Sequence, residues 1–204
     1  MGMLSSTASI TRYRVQGQPE NPVMDTIRNG LKENAIVEID GDSAEKVIGW
    51  TSFEDPFKPE FNGDGFIIGP YFVFSLRIDK KSIPSKTIQK HYLLAMQKKL
   101  ADSDRDHLAK AEKQAIKEAV INDLAVRIPA VPNVYHLLWH MEEEFLWFMT
   151  TQKSANEELE TLFSASFNLT LMRIFPYTAA IFKAGLTEAQ QEALSTLSPT
   201  RFAE

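Results

Sequence analysis

Lysine spacing is the first chemistry this sequence offers. Lys110, Lys113 and Lys117 recur three and four residues apart, and Lys86 and Lys90 repeat the spacing one segment earlier. On a helix such residues share a face. Lys98-Lys99 stand between the two sets, and Arg77, Lys80 and Lys81 lead into them. From Arg77 to Arg127 there are 12 Lys/Arg and 7 Asp/Glu, a local charge of +5, while the rest of the chain carries −10. A basic surface on an acidic body points to a polyanionic partner. Each ammonium that neutralises a phosphate releases condensed counterions, so even a modest stripe supplies non-specific affinity. The candidate phosphate contacts are Lys81, Lys86, Lys90, Lys98, Lys99, Lys110, Lys113 and Lys117. Asp102, Asp104, Asp106, Glu112 and Glu118 are interspersed, as they would be on an ordinary solvated helix face. Charge alone therefore leaves both readings open.

Other chemistry is weaker. His136 and His140 stand four apart with three glutamates after them, half of a zinc pattern if the segment were helical. A metalloprotease needs Glu directly after the first His, and Leu137 occupies that place. The surroundings read as strand, so packing on one sheet face accounts for both histidines. Asp102, Asp104 and Asp106 imitate the start of a calcium loop, but its Gly and its bidentate Glu are replaced by His107 and Lys113. Helix capping explains the aspartates better. No nucleophile elbow, phosphate loop or dinucleotide fingerprint occurs. The expectation is a protein that is not an enzyme and needs no metal or cofactor.

Composition limits the rest. The 204 residues suffice for one large domain, and 44% of them are hydrophobic, including 13 Phe, so a real core is expected. There is no cysteine, which excludes disulfides and thiolate metal sites and suits a reducing compartment. No apolar run approaches the roughly 20 residues of a membrane helix. No secretory signal is visible, and a cytoplasmic location is expected. Met1-Gly2 with Ser6 fits a myristoylation pattern in form only, because no polybasic signal accompanies it.

The elements that would position the lysines follow from periodicity. Ala8 to Val15 alternates as a strand, and after Pro22 the residues Val23, Ile27 and Leu31 recur at helical spacing. Val47 to Phe53 reads as a second strand. Phe66 to Ile78 reads as a long buried strand interrupted at Gly69-Pro70. Ile83-Pro84 opens a helix to about Ala101, Asp102-Ser103-Asp104 breaks it and caps the next, and that helix runs to about Val126 with Ile116, Val120 and Leu124 as its buried stripe. Val134 to Met141 and Phe145 to Thr151 form a β-hairpin turning at Glu142-Glu143-Glu144. Ser154 and Glu157 make a capping box for a helix bearing Leu159, Leu162, Phe163 and Phe167. Leu169 to Phe175 is a strand, and Thr187 to Leu197 a short helix. The order predicts an α+β fold, an antiparallel-rich sheet of split βαβ type with an inserted basic helical hairpin. It is one domain over residues 1–204, with 83–127 as a hairpin subdomain.

From Leu76 to about Thr178 the sequence resembles the RdgC family of bacterial, recombination-associated DNA-binding proteins. The resemblance is carried by Ser82-Ile83-Pro84-Ser85-Lys86-Thr87-Ile88, by the Lys-rich second helix closing at Arg127-Ile128-Pro129, by Leu137-Leu138-Trp139, by the helix from Ala155 to Phe163, and upstream by Gly49-Trp50. It departs from the family at Thr51-Ser52-Phe53, where members carry a proline-containing stretch. The resemblance implies double-stranded DNA binding without sequence preference, nucleoid association and restraint of a RecA-type recombinase. It also implies a homodimer. Some members carry an exonuclease label that no motif here supports. Family members run further at the C-terminus, so the expected assembly is an open clamp and not necessarily a closed ring, formed through strand surfaces or the tail with Phe175, Tyr177, Phe182 and Phe202. The alternative is a protein-interaction module that has lost DNA binding together with that C-terminal part.

Overall fold

Val23, Ile27 and Leu31 fall on one helical face, and Val23–Glu33 is a helix (α1) that buries Ile27 and Leu31. The computed structural model describes residues 7–103, 107–140 and 142–198, without the side chain of Lys183. Met1, Gly2, Ser6, Asp104, Asp106, Met141 and Phe202, singled out above, lie outside those residues. The strands are Thr11–Gln16 (β1), Lys46–Thr51 (β2), Ile67–Ile68 (β3), Tyr71–Lys80 (β4), Val131–His140 (β5), Phe145–Phe148 (β6) and Thr170–Arg173 (β7). The remaining helices are Ser85–Ser103 (α2), Lys110–Arg127 (α3), Lys153–Phe167 (α4), Pro176–Ala184 (α5) and Glu188–Thr196 (α6).

The fold is α+β, with a sheet in the order β2-β4-β5-β6-β1-β7 and β3 paired to β4. Gly69-Pro70 does interrupt the Phe66–Ile78 run, separating β3 from β4. β1 pairs antiparallel with both β6 and β7, so β6 and β7 run parallel with β1 between them. The helix α4 joins that parallel pair, which is the split βαβ arrangement expected from the order of elements.

The chain divides into two compact units, and β4 and β5 each pass through both. The first comprises residues 1–33, 61–74 and 135–204. Its core is aromatic. Trp139 meets Phe163 at 5.0 Å and Phe167 at 5.5 Å, and Phe72 packs on Trp139 at 5.3 Å. The fully buried Leu137, Leu146, Phe148 and Leu159 complete it. Burial of one such side chain is worth about 1.5–3 kcal/mol. Close packing of α1 on α4 needs Gly30, where a Cβ would stand 2.4 Å from the Ser166 carbonyl oxygen.

The second unit comprises residues 34–60 and 75–134. Here β2 pairs antiparallel with β4, from Lys46 opposite Lys80 to Thr51 opposite Ser75. Residues 34–36 cross the other side of β2. Trp50 N donates to Asn34 O at 2.8 Å, and Ile36 N donates to Trp50 O at 2.9 Å. Only glycine admits this crossing at residue 49, because a Cβ there would lie 2.4 Å from Ile36 N.

Several local expectations are corrected. Helix α2 ends at Ser103, two residues past the expected Ala101 and within the expected Asp102-Ser103-Asp104 break, of which Asp104 lies outside the described residues. Ala109, not an aspartate, holds the cap position of α3, and the Glu112 carboxylate accepts its backbone N–H at 2.8 Å. Ser154 caps nothing, because α4 starts one residue earlier. The side chain of the buried Asn156 donates to Gln152 O at 2.7 Å and fixes that start. Helix α5, which the sequence patterns did not reveal, carries the ordinary signals of Pro176 at its start and a left-handed Gly185 at its end. Thr187 caps α6 as its spacing to Gln190 allows.

Candidate nucleic-acid interface

The basic segment divides by secondary structure. On β4 alternate residues share a face, so Arg77 and Asp79 lie side by side. Both are buried, and Arg77 Nε donates to Asp79 Oδ1 at 2.8 Å. The same guanidinium reaches Glu38 Oε1 at 2.9 Å and the Pro56 carbonyl at 3.3 Å, and it lies 5.0 Å from the centre of the Phe57 ring. Arg77 is thus a structural cation of the second unit.

Lys81 departs from its expected role in the same way. It is 5% exposed, and its Nζ donates to Asp42 O at 2.6 Å and Ala125 O at 2.7 Å. A buried ammonium must be hydrogen-bonded, and Lys81 meets that need by tying the loop at Asp42 to the end of α3. It offers no charge to a phosphate.

The other seven lysines are exposed on the hairpin: Lys86, Lys90, Lys98 and Lys99 on α2, and Lys110, Lys113 and Lys117 on α3. Among the described residues none of them forms an ion pair. Nearby carboxylates have other partners. Glu112 accepts the Ala109 N–H, Glu118 accepts from Gln114 at 2.7 Å, and Asp123 pairs with Arg127 at 2.9 Å. This is the opposite of a solvated face on which each lysine is matched by a local acid. At about 100° per residue the three α3 lysines span only roughly 60° of arc. On α2, Lys86, Lys90 and Lys98 span roughly 120°, and Lys99 lies about 100° further round. The structure therefore gathers the α3 set and the Lys86–Lys90 pair into stripes and leaves Lys99 pointing elsewhere.

Sequence reasoning missed the crease between the two helices. A cleft of about 430 Å³ there is lined by Ser85, Ile88, Gln89, Tyr92 and Lys117. It places hydroxyl and amide groups beside one lysine of the α3 stripe. The hairpin itself is thinly packed. No residue of α2 is buried, Leu93 and Leu94 are about half exposed, and of the expected α3 stripe only Leu124 is buried, joined by Ala125.

The His136–His140 pair does not form the half zinc site that a helix would give. His136 and His140 do share a face of β5, but four residues of strand separate them by about 13 Å. The His140 ring nitrogen Nδ1 accepts the Glu143 N–H at 3.1 Å. Burial holds the His136 pKa below its ordinary value. Among the described residues no group of three or more His, Cys, Asp or Glu is placed to hold a metal ion. Among them, too, no helix is long and apolar enough to cross a membrane.

A protein-family model described as "Putative exonuclease, RdgC" matches residues 8–188 of the chain. No curated protein matches it.

Proposed function

The chain belongs to the RdgC family, and from that premise we propose that it binds double-stranded DNA through the phosphates, without reading sequence, using the lysines of the α2–α3 hairpin. The observation that carries this reading is the set of seven exposed hairpin lysines without an ion partner among the described residues. Phosphate contacts position a protein on DNA and carry no base information directly. A recombination-associated role on the nucleoid, with restraint of a RecA-type recombinase, follows from the family and not from any side chain.

A duplex titration at two salt concentrations tests the interface. Changing Lys110, Lys113 and Lys117 together to Gln weakens binding alike for every sequence, and the slope of log K against log salt falls by about 2.7, near 0.9 for each phosphate no longer neutralised. An unchanged slope in the folded variant moves the site off α3.

The protein acts by binding, not by cutting. Linear DNA incubated with it and magnesium or manganese stays intact. Nucleotide release abolished by one carboxylate substitution would establish the exonuclease reading instead. Two copies on one duplex multiply weak contacts, so the functional form is a homodimer, read by light scattering at micromolar concentration. The half-exposed Leu93 and Leu94 favour one other reading, a hairpin that binds protein. A monomer with no affinity for duplex at low salt would leave that alternative standing.

A further inference from the structure

The sheet of the first unit has two faces with different cover. Tyr13, Val15, Leu137, Trp139, Leu146 and Phe148 are all buried, on the side where Tyr13 bonds Asn156 and Glu160 of α4. Strand alternation sends Arg12, Arg14, Leu138, His140, Phe145 and Trp147 to the opposite side. Register arranges these six in two rows across β5, β6 and β1. Leu138, Trp147 and Arg12 stand opposite one another, and so do His140, Phe145 and Arg14. Tyr71 joins on the edge of His140, at 5.0 Å and 89°. The rings then run from His140 to Phe145 at 5.1 Å and from Phe145 to Trp147 at 5.3 Å, the last two inclined by 25°.

A sheet covered on one side ordinarily alternates apolar residues inward with polar residues outward. β6 reads Phe-Leu-Trp-Phe and is apolar on both faces. Helix α5 accounts for part of the difference. Phe182 lies 5.1 Å from the Arg14 guanidinium, which also pairs with Glu144 at 3.2 Å. That occupies the Arg14 row. The Trp147 row stays open, with Trp147 36% exposed and Arg12 exposed and without an ion partner among the described residues.

We propose that the Trp147 row is a seat for unpaired nucleotides of single-stranded DNA, separate from the hairpin lysines. A base stacks on the Trp147–Phe145 ladder, and Arg12, directly across from Trp147, holds the adjoining phosphate. Flat rings on a sheet beside a free guanidinium supply the two things a splayed strand presents, a π face and a charge. A protein partner seated on the row would have to bring a carboxylate or carbonyl to Arg12, and the self-association outcome below covers that case.

Tryptophan fluorescence gives a direct test. Of the three tryptophans, Trp50 and Trp139 are buried, so Trp147 alone is accessible. Titration with a thymidine 20-mer should quench emission saturably. Trp147→Phe should remove the quenching while anisotropy of an end-labelled oligomer still reports binding. Trp147→Ala should weaken that binding roughly 5- to 100-fold, as expected when one base no longer stacks. Arg12→Gln should lower the salt slope by about 0.7. The Lys110, Lys113, Lys117→Gln variant should quench as the parent does. The proposal is overturned if the oligomer does not quench, if Trp147→Ala binds it as well as the parent, or if the lysine variant loses the quenching. It is equally overturned if Trp147→Ala loses self-association and keeps its oligomer affinity, which would assign the row to a second copy of the chain.

Discussion

Cations that stand close together in this sequence have opposite fates in the fold. Arg77 and Lys81, at the end of β4, point inward and are fully engaged, one by Asp79 and Glu38, the other by two backbone carbonyls. The lysines that follow on α2 and α3 point outward, and no described acid pairs with them. A charge count over the whole segment gives +5 and treats the two groups alike. What separates them is the element. A strand packed on both faces must neutralise any charge it carries, whereas a thinly packed helical hairpin can leave its charges in water. Most of this segment's available positive charge therefore lies on the hairpin.

The sharpest way to break the comparison is at Arg77. Arg77→Met leaves Asp79 buried beside no cation, and removing one partner of a buried pair costs about 3–5 kcal/mol. Urea denaturation should register that loss. A variant as stable as the parent would mean that β4 charges are as dispensable as those of the hairpin.

Lys81→Met comes next, at about 1.5–3 kcal/mol, because two carbonyls lose a charged donor. Duplex affinity per folded molecule should not change. If affinity drops instead, Lys81 belongs with the binding set after all.

The first unit has its own paired cation, the half-buried Arg173, whose Nε donates to Glu160 at 2.6 Å while Tyr13 Oη donates to the same carboxylate at 2.9 Å. Tyr13→Phe should cost about 0.5–1.5 kcal/mol. Burial, then the hydrogen bond and charge of Glu160, raise the Tyr13 pKa above its ordinary value. The folded protein thus holds this proton more tightly than the unfolded chain. Its contribution is complete below about pH 10 and is lost as pH rises past that value. Melting curves from pH 9 upward should fall more steeply for the parent than for Tyr13→Phe.

The smallest expected effect on stability is that of the Lys110, Lys113, Lys117→Gln variant, within about 0.5 kcal/mol of the parent. Its weakened duplex affinity with an unchanged melting point would complete the contrast with Arg77. A large drop in melting point would show that the hairpin lysines also hold the fold.

Much of this was legible from periodicity. The four-residue spacing in α1, the Gly69-Pro70 break, the hairpin and the split βαβ order are all patterns that one element writes into its own stretch of sequence. The pairing of Arg77 with Asp79 was legible too, since residues two apart on a strand share a face. The fate of Lys81 was not, because its acceptors lie 39 and 44 residues away. The start of α4 is misleading because Ser154 and Glu157 have the right spacing, while the buried Asn156 fixes the first turn two residues earlier, with Gln152 at the cap position. The crease beside Lys117 needs two helices to meet, and no single stretch of sequence encodes it. The doubly apolar β6 was visible as Phe-Leu-Trp-Phe, a strand with no polar face, and it is the signal from which the Trp147 row could have been found.

The crossing of residues 34–36 over β2 has a consequence for how copies of the chain can meet. A sheet grows when a foreign strand reaches bare amides and carbonyls at its rim. At Trp50 those groups are already taken by Asn34 and Ile36. An incoming strand would have to peel the native crossing away before it could dock there. Gly49→Ala would force the crossing off and bare the rim, so this variant should polymerise or add strands where the parent does not. Gly49 thus permits the crossing that already occupies the rim at Trp50.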